Sequence, residues 1–176
     1  MYKIYENQLA TPCTEQFGTK WILLENSLLV SSWILAGVIL WPIRIGGAEL
    51  LTYAWTAYVI GVQLILKKHV CSGCYYYGRS CHLGWGHLSA KLFQQGSGNP
   101  KVGQWLALTF YMLTPLAVLI AGITAGVMLT VGVFHWTVLG AFVALNLASG
   151  ALRPHLCKQC AIRKVCSGSA AKNTKG

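Results

Sequence analysis

The sequence predicts an all-α integral membrane protein built as a bundle of four transmembrane helices. Of its 176 residues, 55% are hydrophobic and only 10% are charged, and the mean hydropathy is +0.51. Soluble domains carry about 25% charged residues, so this chain has too little charge to cover a surface that faces water. Four apolar runs are each long enough to cross a hydrocarbon core about 30 Å thick.

The four runs come in two pairs along the chain. The first (22–41) and the second (48–66) are joined by the short segment PIRIGG, and the third (104–128) and the fourth (133–152) by LTVG. Backbone groups in lipid must satisfy their own hydrogen bonds, which favours helices in all four runs. Connections this short predict neighbouring antiparallel helices.

Several residues within the runs carry further expectations. Pro115 is expected to kink the third helix, and Gly122 and Gly126 form a small-xxx-small pair suited to close helix contact. Asn146 in the fourth run is expected to hydrogen-bond to another helix. Glu25 lies near the start of the first run, where we expect it to be solvated at the membrane interface.

Basic residues lie almost entirely on one side of the predicted topology. With four spans, both termini and the connection 67–103 share a side, and that side holds every Lys and Arg except Arg44. The positive-inside rule therefore predicts a multi-pass protein of the cell membrane with both termini in the cytoplasm. The net charge of +10 then reflects topology and contact with the lipid bilayer, and no nucleic-acid partner is expected.

This topology divides the chain into three parts. Residues 1–20 form a cytoplasmic arm, residues 21–152 form the membrane domain with its cysteine-rich cytoplasmic loop 67–103, and residues 153–176 form a cysteine-rich cytoplasmic tail. The arm is polar and lacks the apolar core of a secretory signal, so we expect the first span to start membrane insertion.

The two halves of the membrane domain read as a tandem two-helix repeat. Each half has a span, a short turn, a second span and then His-x-Cys-x-x-Cys, and the offset from Leu66 to Cys71 equals that from Leu152 to Cys157. Parallel repeats are related by an axis along the membrane normal. The repeat predicts that the two cysteine clusters face each other across this axis.

Six of the seven cysteines fall in two compact clusters, each preceded by a histidine. A Cys-x-x-Cys pair lets two thiolates reach one ion from a tight turn, and two such pairs complete a tetrahedral site. The sequence therefore predicts a metal centre with ligands among Cys71, Cys74, Cys81, Cys157, Cys160, Cys166, His69 and His155. Cys13 stands apart and is expected to be a free thiol.

Three ligand arrangements and two metals are open at this point. Cys71, Cys74, Cys157 and Cys160 share one ion, or each cluster builds its own site from three cysteines and one histidine, or an iron–sulfur cluster takes four of the six cysteines. The pattern does not choose between zinc and an iron–sulfur cluster. A membrane thiol–disulfide oxidoreductase is the rival interpretation, which the reducing cytoplasmic side disfavours.

Two functional classes follow from a metal centre at the cytoplasmic face. With an iron–sulfur cluster, we expect a membrane electron-transfer subunit between a cytoplasmic redox partner and a quinone, whose headgroup would meet the tyrosines 75–77 and Trp85. With zinc, we expect a stapled scaffold or assembly platform without a redox role. The sequence contains neither a paired-carboxylate site nor a phosphate-binding glycine loop.

The topology predicts that a cysteine introduced at position 101 is reached only from the cytoplasm. In intact cells, the Lys101→Cys variant should gain no label from a membrane-impermeant maleimide until the membrane is opened. Labelling of intact cells at this position would reverse the topology.

Overall fold

The computed structural model describes residues 14–45, 47–164, 169 and 171. Within these residues it contains no β-strand and four helical stretches that are long and apolar enough to cross a membrane. The stretches are Thr19–Leu40, Leu50–Cys71, Pro100–Met128 and Val133–Gln159. The prediction of an all-helical, multi-pass membrane architecture is confirmed at this level.

Six α-helices and two π-helical turns build the four stretches and the loop between them. The helices are α1 (Thr19–Leu40), α2 (Leu50–Leu66), α3 (Trp85–Leu92), α4 (Pro100–Leu108), α5 (Thr114–Met128) and α6 (Val133–Gln159). The π-helical turn Lys67–Cys71 extends α2, and the π-helical turn Thr109–Leu113 joins α4 to α5. The short helix α3 lies in the cysteine-rich loop.

The second and fourth helical stretches run further than the predicted spans at the cysteine end. They reach Cys71 and Gln159, so the first cysteine of each Cys-x-x-Cys pair lies in a helical turn. The apolar run of the fourth span ends at the charge of Arg153, but this guanidinium stacks 4.5 Å from the centroid of the Tyr111 ring. A cation held against an aromatic face is tolerated at a membrane boundary, so the helix continues.

Proline in the third stretch is accommodated by a wider turn. Pro115 has no N–H to donate to the carbonyl one turn earlier, and the preceding segment Thr109–Leu113 is π-helical. Pro115 then lies in the first turn of α5, where a missing N–H costs least.

One buried cluster of the bundle joins α1, α5 and α6. Its members are Ala36, Ile39, Val118, Val138, Leu139 and Phe142. Many other large apolar side chains of the four stretches are exposed, including Ile34 on α1 and Val127 on α5. Water does not stabilise so large an apolar surface, whereas the hydrocarbon of a lipid bilayer does.

Two of the expected helix contacts are present. A Cβ added at Gly122 would lie 2.7 Å from Ile39 Cγ2 and 2.9 Å from Leu139 Cδ1, so glycine lets α5 approach α1 and α6 closely. The Asn146 amide donates to the Ser32 hydroxyl at 2.9 Å and thereby joins α6 to α1. These contacts do not test the tandem repeat, which stays a prediction.

Gly122→Ala is expected to destabilise the bundle by about 1–3 kcal/mol, because the added methyl overlaps two buried side chains. Gly140→Ala is the matched control, since nothing lies within 4 Å of its added Cβ. Alanine should leave the stability at this second position unchanged or slightly higher. Unfolding in mixed micelles, followed by circular dichroism, measures both variants. Equal stabilities would contradict the close contact at Gly122.

Candidate metal centre

Both Cys-x-x-Cys motifs begin in the last turn of a membrane helix and fold alike. The Cys74 N–H donates to the Cys71 carbonyl at 3.2 Å, and the Cys160 N–H donates to the Cys157 carbonyl at 3.2 Å. Each motif is therefore a tight turn that bonds a carbonyl the helix end would otherwise leave unpaired. The first cysteine of each pair lies on the helix and the second beyond it.

Cysteines of the loop and the tail pack against one apolar cluster. Its buried members are Phe17, Tyr76, Leu156 and Ala161, and the cysteines packed against them are Cys74, Cys81 and Cys160. Phe17 lies before α1, and Tyr76 lies in the loop. Leu156 lies near the end of α6, and Ala161 follows that helix. The cluster therefore joins three parts of the chain that are distant in sequence.

Cys74 is the cysteine whose titration is most affected by other thiols. Burial raises the pKa of its thiol well above the ordinary value, and the nearby thiols of Cys71, Cys81 and Cys160 raise this pKa further. A hydrogen bond from the main chain of Tyr76 lowers it in part. Three thiols, two from the loop cluster and one from the tail, thus lie within electrostatic range of Cys74.

The Tyr76 hydroxyl holds the arm, the loop and the tail together. It donates to the Thr14 carbonyl at 2.7 Å and accepts from the Ala161 N–H at 3.1 Å. The Cys160 side chain also hydrogen-bonds to it. Only 2% of Tyr76 is exposed, and this burial raises the pKa of its hydroxyl, which therefore keeps its proton. In the sequence nothing distinguishes Tyr76 from the tyrosines on either side of it.

Close contacts with the helix α3 fix the loop over the end of α2. The Ser89 hydroxyl of α3 donates to the Lys67 carbonyl at 3.0 Å. A Cβ added at Gly86 would lie 1.9 Å from the Tyr76 carbonyl oxygen, so α3 packs here only through a glycine. These contacts set the position of the loop cysteines relative to the membrane helices.

The predicted histidine ligands have other surroundings, and Cys166, like the lone Cys13, is not described. His69 Nδ1 accepts the Asn99 N–H at 2.9 Å, which leaves only its Nε2 for a metal. His155 is exposed on α6, and Cys13 and Cys166 lie outside the described residues. Among the residues that the structure describes, no group of three or more His, Cys, Asp or Glu side chains is arranged to hold a metal ion.

Glu25 is not solvated at the interface, contrary to the sequence-based expectation. Its side chain is fully buried, and its Oε2 contacts Nδ1 of His82 in the loop. Its Oε1 has no hydrogen-bond partner within the described ranges. The loop folds back over the start of α1, where Phe17 lies edge-on to the His82 ring. Burial of this carboxylate is thus a tertiary effect that the span pattern does not indicate.

No protein-family model, curated protein or solved structure matches this chain. The chemistry of the site therefore rests on its own residues. Its main features are half-buried thiols from two segments and the Lys67 ammonium, which acts electrostatically on Cys71.

Tyr76→Phe is expected to loosen the tail and to cost about 1–3 kcal/mol, because the Thr14 carbonyl and the Ala161 N–H lose their partner. Tyr77→Phe is the matched control, since that hydroxyl donates to the Phe93 carbonyl at 2.7 Å, within the loop. The rate of trypsin cleavage in the tail measures the effect. Equal cleavage of both variants would show that Tyr76 does not hold the tail.

Proposed function

We propose that this chain holds a metal centre between its loop and its tail, on the cytoplasmic side of the cell membrane. The observation that carries the proposal is that Cys74, Cys81 and Cys160, from the loop and the tail, pack against one apolar cluster. The thiols of Cys71, Cys81 and Cys160 also act electrostatically on Cys74. These four cysteines are the proposed ligands. This proposed set contains Cys81, whereas the arrangement of two Cys-x-x-Cys pairs contains Cys157 at that place.

The electrostatics of neighbouring buried thiols explain why a metal suits this position. Such thiols do not ionise together in the apo protein, because each thiolate raises the pKa of the next. A divalent cation removes the repulsion and binds thiolates at about 2.3 Å. Metal entry then draws the four side chains together and couples binding to closure of the loop on the tail.

With an iron–sulfur cluster in this position, the protein is a membrane electron-transfer subunit. The potential of such a cluster depends on burial and on hydrogen bonds to sulfur, and the apolar junction around Phe17 and Leu156 supplies the burial. Exposed lysines at this end, including Lys68, Lys91 and Lys158, suit a soluble redox partner with an acidic surface. Electrons then pass between that partner and a quinone in the membrane.

A zinc-stapled scaffold is the second candidate, and the contacts of Tyr76 favour it. This hydroxyl already joins the arm, the loop and the tail. An ion bound beside it adds folding free energy to an existing junction, as structural zinc does. In this case the joined surface serves for docking or assembly and takes no part in redox chemistry.

Metal content and the visible spectrum of protein purified anaerobically in detergent distinguish the two candidates. Iron with acid-labile sulfide and a broad visible absorption supports the electron-transfer subunit. Zinc without colour supports the scaffold. Folded protein that binds neither metal contradicts the metal centre and supports thiol–disulfide exchange instead.

Cys81→Ser and Cys157→Ser form a matched pair that tests the ligand set. Cys81→Ser should weaken metal binding roughly tenfold or more, because serine is a poor ligand for a thiolate-preferring metal. Cys157→Ser should keep the wild-type metal content, measured by mass spectrometry after gel filtration. The reverse pattern would support the two-pair arrangement and contradict the set proposed here.

A further inference from the structure

Two cavities in the bundle adjoin each other, since Trp33 and Trp55 line both. The larger, about 710 Å³, lies toward the short turns at the end opposite the cysteines. The smaller, about 250 Å³, lies toward the cysteine end, among α1, the second π-helical turn and α6. The Trp55 indole N–H donates to the Trp33 carbonyl at 3.0 Å, which holds the Trp55 ring at the border that the two cavities share.

The wall of the larger cavity is mainly apolar, because polar groups in its lining already hydrogen-bond to the main chain. The Thr52 and Thr56 hydroxyls donate to the carbonyls of Gly37 at 3.4 Å and of Thr52 at 3.0 Å. The His135 Nε2 donates to the Gly122 carbonyl at 2.9 Å. A ligand in this cavity therefore meets mainly apolar atoms.

The larger cavity is also open to lipid and large enough for a ligand. Ile34 and Phe134 line it and are 60% and 73% exposed on the bundle surface. Its volume falls within the range of about 300–1,000 Å³ that is usual for ligand pockets. A hydrocarbon chain in the membrane thus has both access and room.

The smaller cavity combines aromatic walls with a cation. Its aromatic rings are those of Trp33, Trp55, Phe110, Tyr111 and Phe142. Such walls suit a flat conjugated ring, which packs favourably against aromatic faces and edges. The Arg153 guanidinium lies over the Tyr111 ring at 4.5 Å, and within the described ranges no carboxylate pairs with it. Its N–H donors are therefore open to a ligand oxygen.

A buried amide lies beside the Tyr111 hydroxyl at the smaller cavity. Only 6% of Gln63 is exposed, and its side chain interacts with the Tyr111 hydroxyl. An amide N–H that donates to this hydroxyl leaves the Tyr111 O–H to donate to a ligand. Tyr111 also interacts electrostatically with Cys71.

The aromatic side chains that the sequence suggested for a quinone are already engaged elsewhere. Tyr76 is buried in the junction of arm, loop and tail. The Trp85 ring has the Lys67 ammonium 4.0 Å from its centroid. The smaller cavity, in contrast, brings five aromatic rings and the Arg153 guanidinium together in one lining.

We infer that the two cavities together bind an isoprenoid quinone, with the headgroup among the aromatic rings of the smaller cavity and the hydrocarbon tail in the larger. The carbonyl oxygens of the quinone accept hydrogen bonds from Arg153 and Tyr111. A phospholipid fits less well, because its phosphate needs hydration and the smaller cavity is walled by rings. A role of this quinone in electron transfer rests on the proposed function, whereas its binding rests on the cavities alone.

Saturable quenching of tryptophan fluorescence by a decyl-substituted benzoquinone, in detergent micelles, measures the binding. Arg153→Gln and Tyr111→Phe should each raise the Kd, the arginine change roughly tenfold because it removes a charged hydrogen-bond donor. Arg44→Gln and Tyr53→Phe are the matched controls, since neither residue lines a cavity, and both should keep the wild-type Kd. Benzoquinone that lacks the decyl group should bind more weakly than the decyl-substituted compound.

Equal Kd values for Arg153→Gln and Arg44→Gln would overturn the inference, with circular dichroism confirming that both variants fold. Displacement of the quinone by phosphatidylglycerol at comparable concentrations would also overturn it, in favour of an ordinary lipid site. Metal content is measured on the same protein. If the protein binds quinone saturably but takes up no metal, the quinone site is supported and the metal centre is contradicted. If it takes up metal but binds no quinone, the metal centre is supported and the quinone site is contradicted.

Discussion

The buried hydroxyl of Tyr76 joins the three segments on which the cysteine end of this protein depends. It bonds the carbonyl of Thr14 and the N–H of Ala161 at once, so the arm, the loop and the tail meet at one atom. Because each partner would be left unpaired without it, the hydroxyl specifies a single arrangement of the three segments. The thiols of Cys74 and Cys160 lie beside this junction as a consequence.

The membrane imposes the second constraint, which is that polar groups inside the bundle must find partners within the protein. Asn146 bonds to Ser32, and His135 bonds to a main-chain carbonyl of the neighbouring helix. Glu25 departs from this rule, since its Oε1 has no partner among the described residues. It lies in the cysteine half of the bundle, where the metal centre and the quinone headgroup are proposed.

The proposed centre and the proposed quinone site are neighbours through the end of α2. Cys71 ends the π-helical turn of that helix and interacts with both Cys74 and Tyr111. The two proposed sites are therefore linked through one residue, Cys71, at the end of α2.

Length and hydropathy were enough to determine the four membrane helices, because a backbone in lipid has almost no alternative to the helix. The glycine spacing of α5 and the amide of Asn146 also indicated real contacts, since helical periodicity sets which residues share a face. Which cysteines pack together was decided only by the tertiary structure. The sequence left three ligand arrangements open, whereas in the folded protein Cys74, Cys81 and Cys160 pack against one apolar cluster. Burial of Glu25 and Tyr76 depends on a loop that folds back across the bundle. The local spacing of residues does not predict such contacts between segments that are distant in sequence.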